Sequence, residues 1–363
     1  MIIYNFLMFI IDALLLLIIW RYPLLSLFKL ICLCAAGCFA AVLFGLGDFS
    51  FVAHGLAWHG GGFLIGAGLI LILRNKKPSR RIGLSILSFT IAIFILVFSV
   101  IALLIEPTAI EIVRYEYRTN LVTQPLRVAF IADIQTDRIG KYERMTLNLL
   151  KSQNADLIIF GGDYIQASDK ETEERLIGEF NSLLKELKLR AKFGVYAIKG
   201  NQEASRWCDW RRSFAGTGIA TFDGTYRRDI GELRVVFVSM LNSFTQRKLN
   251  TRSSYSNRRK QSTKPRFVLM AGHAACYALA EQDANIVLAG HTHGGQVAIP
   301  FFGALINMTM GLPRKWSSGD HKLPNGSILI VSKGTGMERG HAPRIRFNCR
   351  PDFIVIDIVP EKN

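Results

Sequence analysis

The chain has 363 residues, 50% of them hydrophobic and only 20% charged, with a mean hydropathy of +0.25. Soluble chains of this size carry about 25% charged residues, so an apolar part must dilute the count. This excludes a wholly cytosolic protein, a disordered chain and a disulfide scaffold. Residues 1–106 hold seven Lys/Arg against three Asp/Glu, which leaves 44 − 7 = 37 basic and 28 − 3 = 25 acidic residues, a net +12, for the rest. The first part is membrane-like; the second has the length and composition of one soluble domain.

Four apolar runs approach the ~20 residues a bilayer-spanning helix needs: Ile2–Trp20, Leu24–Leu46, Phe51–Leu73 and Ile82–Ile105. We therefore expect a four-span anchor over 1–106, a linker over 107–125 and a domain over 126–363. Between the third and fourth runs lie Arg74, Lys76, Lys77, Arg80 and Arg81, while the loop before the third run carries only Asp48. By the positive-inside rule, four spans put the soluble domain on the non-cytoplasmic face of a plasma or inner membrane. Asp12 falls inside the first apolar run, and His54 and His59 inside the third, beside Gly60–Gly62. They read as interfacial or helix-packing residues of an anchor rather than as a transport path.

From residue 126 short apolar runs alternate with amphipathic stretches. Strands are expected at Leu126–Ala132, Asp156–Phe160, Phe193–Ile198, Leu233–Met240, Phe267–Ala271, Ile286–Ala289, Ser327–Val331 and Phe353–Ile358, with helices around Tyr142–Ser152, Lys170–Leu189 and Ala274–Gln282. Early strand–helix alternation followed by strand-rich sequence indicates an α/β fold with mixed sheets.

Five strand ends deliver Asp, Asn or His beside glycine: Asp133-Ile134-Gln135, Gly161-Gly162-Asp163, Gly200-Asn201-Gln202-Glu203, Gly272-His273 and Gly290-His291-Thr292-His293-Gly294. Sites in α/β sheets form at such carboxyl ends. Carboxylate, amide and imidazole donors together suit manganese, iron, zinc or magnesium. A pair of ions needs a bridging carboxylate, for which Asp163 is the natural candidate.

The order and spacing of these motifs resemble the calcineurin-like metallophosphoesterases, over about residues 126–358, and the Gly-Gly-Gln after the last histidine pair and Gly334-Thr335-Gly336 are similar to a branch that includes transmembrane members. The resemblance implies a four-layer α/β/β/α sandwich and two divalent ions. One would be held by Asp133, Asp163 and His293, the other by Asp163, Asn201, His273 and His291, with a bridging hydroxide attacking phosphorus. Asn201, Gln202 and His273 occupy the positions of catalytic residues. Three departures stand out: Gln135 and Gln202 replace histidines of the family pattern, and Gln166 replaces an aspartate. Gln135 is a weaker ligand than imidazole, so a single tightly bound ion is an alternative. Gln202 cannot donate a proton as imidazolium does, which favours substrates with good leaving groups or another acid such as His341.

The segment Gln246–Arg266 carries eight basic residues and no acid, among them Arg258, Arg259 and Lys260. These, with His341, are the candidate substrate-binding residues, either as a flap over the site or as a solvated loop. A phosphorylated, lipid-linked substrate fits a basic, membrane-anchored domain. Nucleic acid is not expected, since Tyr255 is the sole aromatic in the basic run. The resemblance also suggests cleavage of the pyrophosphate of UDP-2,3-diacylglucosamine in glycolipid synthesis, which would require a cytosolic domain. A catalytically impaired metal-binding sensor or scaffold is the rival from another class. The six cysteines have no metal-knuckle spacing.

Overall fold

The computed structural model describes residues 2–22, 27–44, 54–73, 78–205, 207–249, 266–306, 309, 311–340 and 342–361. It divides into two compact units: Met1–Glu106 with Glu338–Arg346, and Pro107–Met337 with Phe347–Asn363.

The first unit is helical, with α1 (Ile2–Arg21), α2 (Leu27–Phe44), α3 (Gly60–Leu73, entered through a π-helical turn at Gly55–His59) and α4 (Pro78–Val100, continued by a π-helical turn at Ile101–Ile105). Three described stretches are long and apolar enough to cross a membrane, Ile3–Arg21, Gly55–Leu73 and Ile82–Thr108; α2 contributes a shorter apolar stretch, Ile31–Ala41, where a fourth full span was expected. Arg74, Lys76 and Lys77, on which the orientation argument leans, lie outside the described residues, as does Asp48. The apolar side chains meet as expected for a bundle: Ile19, Phe63, Leu64, Ala67 and Ala92 form a buried cluster. The polar residues in these helices also find partners. His59 Nδ1 lies 2.8 Å from Asp12 Oδ2, and its Nε2 lies 3.4 Å from Asn5 Oδ1. This joins α1 to the turn before α3, the structural role expected of an ionisable pair among apolar helices. Residues 338–346 belong here too. The Arg346 N–H donates to the Ala102 carbonyl at 2.9 Å, and Pro343 and Ile345 line a cavity of about 750 Å³ with Met8, Asp12 and Phe63.

The second unit stacks two six-stranded sheets. The first has the order β1 (Glu111–Thr119), β14 (Asp352–Pro360), β2 (Leu126–Ile131), β3 (Leu157–Phe160), β4 (Val195–Ile198) and β5 (Ala220–Phe222), parallel throughout except where β14 meets β2. The second runs β12 (Gly319–Lys322), β13 (Ile328–Val331), β9 (Ile286–Ala289), β8 (Phe267–Ala271), β7 (Leu233–Phe237) and β6 (Tyr226–Ile230). Its four central strands are parallel and its two edge strands antiparallel. A short hairpin, β10 (Ala298–Ile299) with β11 (Gly303–Ala304), stands apart from both sheets.

The period of two along a strand assigns each side chain to a layer. Val128 and Phe130 of β2 enter the core between the sheets with Leu157, Ile159, Phe237 and Leu269, whereas Ala129 and Ile131 face an outer core with Leu176, Phe180 and Leu184. The latter come from α6 (Lys170–Leu187), which with α5 (Lys141–Ser152) covers the first sheet. Val236, Met270 and Val287 face the opposite outer core, closed by short turns at Cys276–Ala280 and Arg314–Ser317. Burial on both faces explains the continuous apolar runs in the sequence. The expected four-layer α/β/β/α sandwich is therefore present, with one layer made of turns rather than long helices.

Two sequence readings of this unit change. The linker expected over 107–125 contains β1, whose nine residues pair in register with β14 from Glu111↔Asp352 to Thr119↔Pro360. Its alternation of Arg114, Glu116 and Arg118 with Val113, Tyr115 and Tyr117 is that of an edge strand with one wet face. The helix expected at Ala274–Gln282 is a short 3₁₀ turn.

Candidate metal centre

The strand-end residues converge as the order of β2, β3 and β4 in one sheet and β8 and β9 in the other requires. Ligand atoms of Asp163, His273 and His291 all lie within 4.8 Å of one another. His273 is fully buried, and its Nδ1 sits 3.0 Å from the Gly161 carbonyl. A carbonyl only accepts, so Nδ1 carries the hydrogen and Nε2 is turned toward Asn201 Oδ1 at 2.8 Å and Asp163 Oδ2 at 3.4 Å. Three electron-pair donors thus point at one another. A cation among them, a proton or a metal ion, satisfies all three.

The electrostatics agree. Burial alone would depress the His273 pKa, but the carboxylates of Asp163 and Asp133 outweigh it and raise the imidazole to about 9. Burial would raise Asp163, yet His273, His291 and the Gln202 N–H together hold its carboxyl below the usual range. Ligand sites are where buried groups and strong charge partners coincide.

The backbone is shaped to this purpose. Asp133, Gln135, Asp163, His291 and His293 all have left-handed φ, between 39° and 72°. Non-glycine residues rarely adopt that region, and such strain concentrates at functional sites. The Asp163 side chain fits only because Gly200 lacks a Cβ, which would stand 2.2 Å from Asp163 Oδ1. Asp163 Oδ1 accepts from the Gln202 N–H at 2.7 Å, and Asp133 Oδ2 accepts from the His291 N–H at 2.8 Å. Asp133 is fully buried, its Oδ1 3.9 Å from His273 Nδ1. His293 is buried in the turn His293–Gly295, two residues beyond the three-residue cluster.

The substituted positions lie in the same loops. Gln135 is fully buried, and its N–H donates to the Asp163 carbonyl at 2.8 Å. The Gln166 N–H donates to Thr136 O at 3.0 Å, extending the link between the first two loops. Of the expected substrate-binding residues, Arg258, Arg259, Lys260 and His341 lie outside the described residues. At the two described ends of the basic segment, Lys248 pairs with Asp283 at 2.8 Å and Arg266 with Asp229 at 3.7 Å. Those two charges serve the domain's own acids.

Two residues given no role from the sequence complete the site. Glu203 is buried beneath it, and its carboxylate accepts from the N–H groups of Asp163 (2.9 Å), Tyr164 (2.7 Å) and Gly200 (2.9 Å). One side chain thereby fastens two ligand loops together. Burial and the nearby Asp163 charge raise its pKa to about 7. The Phe244 ring stands edge-on to His291 with centroids 4.7 Å apart, and lies 6.1 Å from the His273 ring. The Gly-Asn-Gln-Glu order carried a signal for Glu203; a phenylalanine outside every motif carried none.

The donor set and its glycine-shaped backbone fit a divalent metal. Residues 126–295 match the family model of calcineurin-like phosphoesterases. The chain is 25% identical over 269 residues to the uncharacterized metallophosphoesterase YkuE of Bacillus subtilis, covering 70% of this chain and 87% of the relative. It is 24% identical over 233 residues to YkoQ of the same organism, also an uncharacterized metallophosphoesterase, covering 62% and 81%. Among solved structures, a dimetal phosphatase from Danio rerio aligns with 61% of this chain and 91% of its own, at 12% identity and a TM-score of 0.34. The chain carries a calcineurin-like metallophosphoesterase domain and is a metal-dependent phosphoester hydrolase.

Proposed function

We propose that the domain hydrolyses a phosphodiester or pyrophosphate bond of a lipid-linked substrate delivered by the membrane, on the non-cytoplasmic side. The observation that carries the chemistry is the convergence of Asp163, His273, His291 and Asn201 on one point. Asp133, Asp163 and His293 would hold one divalent ion, and Asp163, Asn201, His273 and His291 the other. Bound metal lowers the pKa of a water and offsets charge on the phosphoryl oxygens. The chain's own residues set the geometry. Gly161 O fixes the His273 tautomer and leaves Nε2 as the ligand atom. The Gln202 N–H holds Asp163 Oδ1. The Gln202 side chain can hydrogen-bond a leaving oxygen but cannot protonate it as imidazolium would, which selects good leaving groups.

The apolar helices supply the second half of the reading, because a chain with bilayer-length helices meets lipid-linked phosphoesters at high local concentration. The test is hydrolysis by the full chain, with manganese, of bis(p-nitrophenyl) phosphate beside a panel of lipid phosphodiesters and lipid-linked pyrophosphates that includes UDP-2,3-diacylglucosamine. Asp163→Ala should abolish turnover of every member. Turnover of the soluble probe without any lipid substrate would refute the lipid assignment; absence of both metal and turnover in folded protein would favour a sensor or scaffold.

A further inference from the structure

The β10–β11 hairpin exposes what the rest of its unit hides. Ile299, Phe301, Phe302, Leu305 and Ile306 are exposed by 43%, 111%, 52%, 50% and 59%. Elsewhere among the described residues of this unit, large exposed apolar side chains are single and scattered: Met145, Trp207, Tyr226 and Leu241. Scattered exposure is ordinary, but a contiguous patch marks a contact surface. The tip is held in that form at a cost. Phe301 has φ +66°, a strained conformation for a bulky residue, and it carries the ring outward. Arg314 lies over the Phe302 ring, 3.6 Å from its centroid, and Arg314 and Lys315 are both exposed. Aromatic rings flanked by cations are the composition of a lipid interface, with rings at the acyl boundary and cations at headgroup phosphates.

Chain connectivity says which partner such a tip can reach. Val297, at the base of the hairpin, pairs with Phe347, and the Ala298 N–H donates to the Phe347 carbonyl at 2.9 Å. One peptide bond away, Arg346 belongs to the helical unit, where its N–H donates to the Ala102 carbonyl of the span Ile82–Thr108. At its other end the hairpin rests on the metal loop. A Cβ on Gly295 would stand 2.6 Å from the Ile306 carbonyl oxygen and 2.8 Å from Ala304 Cβ.

We propose that the β10–β11 hairpin is a membrane-docking tip. Phe301 and Phe302 seat among lipid acyl chains, Arg314 and Lys315 meet anionic headgroups, and the His291–Gly295 loop is thereby held at the bilayer surface. This contact is with the bilayer and does not depend on whether the cleaved substrate is itself a lipid.

The test uses the full chain in nanodiscs of phosphatidylcholine and phosphatidylglycerol, with Phe301 replaced by the photo-reactive residue p-benzoylphenylalanine. After irradiation, mass spectrometry should find lipid adducts at residue 301 several-fold above those at Trp207 carrying the same replacement. Equal lipid adducts at both positions, or adducts of the tip with a second copy of the chain in place of lipid, would overturn the proposal. Should the residue-301 variant be recovered poorly, the same replacement at Phe302 gives the same two outcomes.

Discussion

Removing metal from this protein should make it less stable as the pH rises, and restoring metal should reverse that slope. In the protein stripped by chelator, the His273 imidazole is held between Asp163 and Asn201 with a pKa of about 9, against 6.5 when exposed. Its folded-state pKa is raised, so the stabilisation is fully present below pH 6.5 and is lost as the pH climbs through 9. A pKa unit corresponds to about 1.4 kcal/mol, so the shift amounts to about 3 kcal/mol across this window. For a domain of this size 1 kcal/mol moves the melting temperature by about 2–4 °C. With bound metal the Nε2 lone pair is committed, and metal competes with the proton, so metal-dependent stabilisation grows with pH over the same window. The assay is thermal unfolding of the full chain in detergent from pH 6 to 9.5, with chelator and with manganese, beside His273→Gln. Calorimetric titration of metal at pH 7.5 should show release of close to one proton. A stripped protein with the same melting temperature at pH 6.5 and 9, or a His273→Gln protein with the wild-type slope, would refute the reasoning.

Other variants probe the surrounding shell. Glu203→Ala deprives three buried N–H groups of their acceptor. It should cost about 3 kcal/mol and weaken metal binding by isothermal titration, although Glu203 is not itself among the proposed ligands. Gln202→His restores an imidazole where the family pattern has one. It should raise turnover of alkyl phosphoesters relative to bis(p-nitrophenyl) phosphate, toward the ~10²–10⁴-fold range of general-acid catalysis. Gly334→Ala puts a Cβ 2.6 Å from Asp133 Cβ at a residue with φ +70°. The left-handed backbone alone costs about 1–2 kcal/mol, and displacement of Asp133 should lower kcat and manganese content together. Asp12→Ala leaves His59 without its ion-pair partner in the helical unit. It should lower the melting temperature in detergent while leaving hydrolysis of the soluble probe intact.

The site was legible because its residues are the ends of strands, and a strand end is written locally as an apolar run followed by glycine and a polar residue. Leu126–Ile131, Phe267–Ala271 and Ile286–Ala289 fall where those runs do, and Asp163, Asn201, His273 and His291 meet because each of the two stacked sheets brings the carboxyl ends of its parallel strands to the same side. What was not legible depends on pairing at long range. β1 reads as a linker because its apolar residues alternate with charges, and only β14, far along the chain, makes it a strand. The helix expected at Ala274–Gln282 closes as a 3₁₀ turn, with Glu281 in a left-handed conformation at its end. Phe244 acquires meaning only through the two histidines it touches.

The pairing of β1 with β14 has a consequence for how the protein is made. The two strands join at Glu111↔Asp352, so 352 − 111 = 241 residues separate partners that must meet, and β14 also stands between β1 and β2. At about 5–20 residues per second of synthesis, roughly 10–50 s pass between emergence of the membrane-proximal strand and arrival of the strand that seals it. Throughout that interval two sheet edges are open to pairing with other chains. Until the last strand is threaded between them, β1 and β2 are the edges at which a newly made chain is open to mispairing.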